Sequence, residues 1–145
     1  MYYQEIKKDL FDVPSKYCLV HCINGAYTLG AGIAKEFENR MHMRHFLMQF
    51  YPIQEGEGSK YIGKALIVGR VFNLVTKAHH YNKPTYEALY SALKDMRDQC
   101  ETRCIRHLAM PKIGCGLDRL EWDKVSVMIK EVFSDLDIDI LICYL

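Results

Sequence analysis

The sequence predicts a layered α/β domain, with a mixed sheet lying between helices. Three observations lead there. Strand-like runs alternate with stretches of helical spacing along most of the chain. The chain has 145 residues, the length of one domain. A chain of that size buries about two thirds of its unfolded surface and needs neither disulfides nor zinc to hold a core. Half of the residues are hydrophobic and 26 % are charged, an ordinary globular balance that excludes a disordered chain.

Each element follows in order. Tyr2 to Ile6 reads as an edge strand. Tyr17 to Ile23 is a short apolar run, the mark of a buried strand. A loop with glycines, Asn24 to Gly32, leads to Ile33, Phe37 and Met41, which lay one apolar stripe along a helix. Met43, Phe46, Leu47 and Phe50 continue that helical spacing to Pro52. Gln54 to Ser59 is polar, holds two glycines and reads as a loop. Lys64 to Gly69 and Val71 to Thr76 are strand-like and meet at Gly69-Arg70, which suggests a hairpin. Lys83-Pro84-Thr85 opens the next helix, with Pro84 expected in its first turn and Leu89, Leu93, Met96 and Cys100 on its inner face. Arg106 to Met110 is a strand ending at Pro111. Glu121 to Phe133 is a helix with Trp122, Val125, Ile129 and Phe133 on one side, and Asp139 to Leu145 closes the chain as a strand.

The formal net charge of +1 gives no broad basic face, so tight sequence-blind duplex binding is disfavoured. No stretch approaches the ~20 apolar residues of a membrane span, and the first residues lack a signal-peptide layout. These features predict a cytoplasmic protein without membrane attachment. Cys18, Cys22, Cys100, Cys104, Cys115 and Cys143 form no Cys-x-x-Cys pair and fit reduced, buried thiols better than a zinc site. No metal-ligand cluster and no cofactor fingerprint stand out, so metal-independent chemistry is expected. The absence of a coiled coil or long apolar surface helix predicts a monomer.

In layered α/β folds, ligands collect beyond the carboxyl ends of the strands. Two glycine-bearing segments stand there. Gly30-Ala31-Gly32-Ile33 joins a strand to a helix, where backbone N–H groups favour an anion. Pro111-Lys112-Ile113-Gly114-Cys115-Gly116-Leu117-Asp118-Arg119-Leu120 also follows a strand and precedes a helix. Two such loops can cradle a diphosphate from both sides, or they are simply tight turns. Neither matches a Walker loop or the Gly-x-Gly-x-x-Gly dinucleotide fingerprint.

With Lys8 to Phe11, His21 to Ile23, Leu74 to Lys77 and Lys83 to Glu87, these segments resemble a macrodomain of the terminal ADP-ribose protein glycohydrolase type. The resemblance runs from Asp9 to the C-terminus, and the run Pro111 to Leu120 is its specific part. It implies a single three-layer α/β/α domain over residues 1–145 that binds ADP-ribose. It implies hydrolysis of ADP-ribose from a modified acidic protein side chain or a DNA base, with O-acetyl-ADP-ribose as a further candidate. Under it, Lys77 is the nucleophile that attacks C1″ of the distal ribose, and Asp118 is the general acid and base. Alone, Lys77 reads as a solvated strand-end lysine and Asp118 as an acid before a helix. An amine attacks only when neutral, and a neighbouring carboxylate opposes that, so the pair must share a proton or be separated by substrate.

The resemblance also assigns the ADP-ribose contacts. Asp9, with Leu10, holds the adenine amino group. Gly30, Ala31, Gly32 and Ile33 face Pro111, Ile113, Gly114, Cys115, Gly116 and Leu117 across the phosphates. Thr76, Asn24 and His21 complete the pocket. Asn24 stands where this type usually has serine, and it retains the means to hydrogen-bond a ribose hydroxyl. His21, on a buried strand, reads equally as a satisfied core histidine. His79 and His80 follow the lysine, either as an exposed turn or as contacts to the leaving group or a nucleic-acid strand. Cys115 has no partner base and serves the loop's shape. The competing function is a reader that binds ADP-ribose without turnover. A reader needs both loops but neither Lys77 nor Asp118.

Overall fold

The computed structural model describes all residues, Met1–Leu145. A six-stranded sheet has the order β1-β6-β5-β2-β4-β3. Its strands are β1 (Tyr2–Lys7), β2 (Cys18–Asn24), β3 (Ala65–Val68), β4 (Val71–Lys77), β5 (His107–Met110) and β6 (Asp139–Tyr144). Only β3 runs antiparallel to its neighbour, closing the expected hairpin with β4. The other five strands are parallel, so their carboxyl ends share one edge of the sheet.

Alternation along the central strands feeds two cores. Val20, Phe72, Leu74, Leu108, Met110, Ile140 and Ile142 face one side and pack with α3 (Tyr86–Arg103) and α4 (Trp122–Val132). Leu19, Ile23, Val71, Val75, Ala109 and Leu141 face the other, with Phe37 of α1 (Gly32–Met41) and Met43 and Leu47 of α2 (Met43–Phe50). Period-two strands buried on both faces give three layers, α/β/α.

The helices differ from expectation at two points. The apolar spacing from Ile33 to Phe50 is not one helix. His42 takes a left-handed conformation, φ 51°, and divides it into α1 and α2. Pro84 lies before the cap of α3 rather than in its first turn. Thr85 is the cap, and its hydroxyl accepts from the Ala88 N–H at 3.0 Å. At the far end Cys104, φ 57°, ends α3 in the left-handed region. No helix is long and apolar enough to cross a membrane.

Candidate functional site

A cleft of about 800 Å³ opens at the shared carboxyl edge of the sheet. Three stretches of chain build it: Cys22 to Ala34, Lys77 to Lys83, and Pro111 to Arg119. A second hollow of about 630 Å³, at the α1–α2 break, touches neither glycine segment and gathers no convergent chemistry.

Lys77 is the last residue of β4, so a rigid central strand aims it. The β2–β4 register slips between Ile23 and Asn24, and Asn24 therefore pairs with Lys77 rather than with Thr76. Such irregularities re-aim side chains at strand ends. The Lys77 ammonium donates to Asp118 Oδ1 at 2.6 Å and to the His80 carbonyl at 3.4 Å. Both partners of the ion pair are mostly buried, with side chains 13 % and 19 % exposed. The chain thus brings together two groups 41 residues apart.

The two glycine segments flank this pair. Helix α1 has no side-chain cap at its start, where Ala31 stands, so its first-turn N–H groups face the cleft unspent. Across the cleft, Gly114 adopts φ +74°, a conformation that favours glycine, and a Cβ there would lie 2.9 Å from the Leu120 Cδ1 methyl. The loop is cross-braced by Cys115 N–H to the Lys112 carbonyl, Leu120 N–H to Gly114 and Arg119 N–H to Gly116. Gly116, Leu117 and Asp118 donate no backbone bond of their own. Two opposed sets of free N–H groups are what a diphosphate needs.

Of the residues singled out in the sequence, Asn24, Gly30 to Ile33, Lys77, His80, Pro111, Ile113, Gly114, Gly116, Leu117 and Asp118 line the cleft together. The others stand behind or beside it. His21 is fully buried: it stacks on Phe37 at 4.0 Å and bonds Asn73 Oδ1 at 2.5 Å. Burial lowers its pKa to about 4, so it is a neutral core residue rather than a base exposed to the cleft. Leu10 and Thr76 are buried. Asp9 sits beyond β1 on the same sheet edge, and its Oδ1 caps a 3₁₀ turn, Leu10–Asp12, by accepting from Phe11 N–H at 2.9 Å.

Cys115 is half-buried, bonds the Ile113 carbonyl and has its thiol pushed up to about 11 by desolvation. Cys22, behind Asp118, is shifted up further, again first by burial. Neither is a thiolate at neutral pH. Asn24 is occupied by its own loop: Oδ1 accepts from Ala26 and Thr28 N–H, and Nδ2 donates to the Thr28 carbonyl. It shapes the turn first.

Sequence reasoning missed Tyr81, Asn82, Lys83 and Arg119, which also line the cleft. The signal available for them was position alone, just after Lys77 and just after Asp118.

Residues 20–129 match the Macro domain family. The chain is 39 % identical over 142 residues to the human ADP-ribose glycohydrolase OARD1, covering 94 % of this chain and 88 % of that one. It is 25 % identical over 140 residues to a DNA ADP-ribosyl glycohydrolase of Thermus aquaticus, covering 91 % of this chain and 38 % of the relative. Its fold superposes on the macrodomain of Thermus aquaticus DarG with a TM-score of 0.81 at 21 % identity, over 99 % of this chain and 98 % of that one.

Proposed function

The chain belongs to the Macro domain family, and from that premise we propose that it is an ADP-ribosyl hydrolase with Lys77 as nucleophile and Asp118 as general acid and base. The observation that carries the reading is the 2.6 Å contact between Lys77 Nζ and Asp118, set between two loops with unspent N–H groups. The named activity of a relative alike over most of both chains agrees with it. The whole of residues 1–145 is read as one domain, with β1 and β6 paired at its two ends.

The resting pair holds one mobile proton, as ammonium and carboxylate. Transfer along the hydrogen bond leaves a neutral amine and a carboxylic acid. The amine attacks C1″ of the distal ribose, and the bond from C1″ to the leaving oxygen or nitrogen breaks with its electron pair on the leaving group. Asp118 gives its proton to that atom and then takes one from the new secondary ammonium. In the second half, water attacks C1″ as the C1″–Nζ bond breaks. Asp118 protonates the departing amine and accepts a proton from the water. A last transfer restores the ion pair and frees ADP-ribose.

The substrate class is an ADP-ribosyl ester of an acidic protein side chain, an ADP-ribosylated DNA base, or O-acetyl-ADP-ribose. The reading also makes the protein a cytoplasmic monomer. No metal is called for, since the pair itself supplies the proton traffic, and activity should survive a chelator.

Single-turnover release of ADP-ribose, from a glutamate-linked peptide and from a base-linked oligonucleotide, tests the assignment. Lys77→Ala should abolish release, and Asp118→Ala should slow it by about 10²–10⁴-fold. Tight ADP-ribose binding with no release from either substrate would instead make the protein a reader.

A further inference from the structure

Beyond the nucleophile, the cleft ends in a turn that the hydrolase reading leaves without a role. His79 N–H donates to Asn82 Oδ1 at 3.0 Å, and Asn82 N–H returns to the His79 carbonyl at 3.0 Å. This closed turn holds up Tyr81, which is 73 % exposed. The ring is nevertheless fixed. His79 lies parallel to it, 8° between planes and 5.2 Å between centroids, and His80 meets it edge-on at 5.4 Å. His79 is itself seated on backbone: its Cε1 lies 3.1 Å from where a Cβ on Gly58 would be. His79 thus backs one face of Tyr81, while most of the ring stays exposed. The turn is also tied to the reacting centre, because the His80 carbonyl accepts from Lys77 Nζ.

The electrostatics of this end are one-sided. Lys77, Lys83, Lys112 and Arg119 line the cleft, and Asp118 is its one carboxylate. With Asp118 paired to Lys77 and the Lys112 ammonium set over the Tyr144 ring at 5.2 Å, Lys83 and Arg119 remain for phosphates. An exposed, backed aromatic ring beside unpaired cations suits a flat base followed by phosphodiesters. A glutamate or aspartate leaving group carries no aromatic ring to stack.

We propose that Tyr81 is the stacking platform for the leaving nucleobase, so that the turn at 79–82 selects base-linked ADP-ribose on single-stranded DNA over ester-linked ADP-ribose on protein. The proposal rests on the hydrolase reading and names its substrate class. A modified base in a single strand has no partner to be pulled from, so it can leave its neighbours and lie on Tyr81 while C1″ sits at Lys77.

The test compares wild type, Tyr81→Phe and Tyr81→Ala at enzyme concentrations below saturation. The two substrates are a single-stranded oligodeoxynucleotide with one ADP-ribosylated base and a glutamate-linked ADP-ribosyl peptide. Tyr81→Ala should slow release from the oligonucleotide by about 10- to 100-fold, the range expected for one base stacked on an aromatic side chain. Tyr81→Phe should stay near wild type on both substrates, and Tyr81→Ala near wild type on the peptide. An equal loss on both substrates would overturn the proposal, because the turn would then be acting through Lys77. An unchanged oligonucleotide rate would overturn it outright. Should wild type release ADP-ribose from neither substrate, the hydrolase reading fails separately. Fluorescence anisotropy of the same oligonucleotide then decides: about tenfold weaker binding by Tyr81→Ala supports the platform, and unchanged binding overturns it.

Discussion

His21 shows how one residue can look catalytic in a sequence and be structural in the fold. It lies between β4 and α1, bonded to Asn73 and stacked on Phe37, with its Nδ1 unpartnered. Asn73 completes its own set with the Leu66 carbonyl. Protonating this imidazole inside the core is costly, and its pKa falls to about 4 by desolvation, only partly offset by Asn73. The unfolded imidazole titrates near 6.5. Below about pH 6.5 the unfolded chain therefore takes a proton that the folded chain refuses, and stability falls as the pH drops toward about 4. The full effect is on the order of 3 kcal/mol. Urea unfolding between about pH 7 and about pH 4.5 should show this loss in wild type. His21→Gln, which keeps a partner for Asn73 but does not titrate, should have a flatter profile. Parallel profiles would mean that His21 titrates normally. The choice between base and core residue turned on burial, which a strand pattern suggests but does not measure.

At the scale of elements, the site depends on where β2 and β4 end. Gly25 N–H and Ala26 N–H donate to the carbonyls of Lys77 and Ala78 at 2.8 and 3.0 Å, which fixes the backbone that carries Lys77. This requires a bare backbone at Gly25: a Cβ would lie 1.8 Å from the Gly58 carbonyl oxygen. Gly25→Ala must push the two loops apart. The expected cost is about 1–3 kcal/mol of stability, together with a lower single-turnover rate as Lys77 shifts from Asp118. A urea midpoint and the release assay measure the two effects separately. Wild-type values in both would show that the loops yield without moving β4. The strands and α3 were legible because continuous apolar runs and the Leu89-Leu93-Met96-Cys100 spacing leave few alternatives. The break at His42 was not, because apolar residues keep helical spacing across it and nothing in a histidine announces a positive φ. The Lys77–Asp118 pair was named through resemblance alone, since a contact spanning 41 residues leaves no local trace.

At the scale of the molecule, a chain of net charge +1 conceals a cleft with four cations and one carboxylate. Composition averages over the surface, while the fold gathers residues 22–34, 77–83 and 111–119 at one edge. Those stretches meet only when both cores are packed, because α1 rests on one face of the sheet and α3 and α4 on the other. A ligand held by all three stretches therefore binds the native chain and not the unfolded one. ADP-ribose at a hundredfold excess over its Kd should stabilise the fold by about 2.7 kcal/mol. For a domain of this size that is a rise in Tm of roughly 5–10 °C. On the proposed reading the loops rather than Lys77 hold the diphosphate, so Lys77→Ala should keep most of this rise. Gly114→Ala should lose much of it, since a Cβ at φ +74° strains the backbone that carries this loop's N–H groups. Differential scanning calorimetry of the three proteins, with and without ADP-ribose, separates binding from turnover. A rise that vanished with Lys77 and survived at Gly114 would place the main hold on the ligand at the catalytic pair instead of the loops.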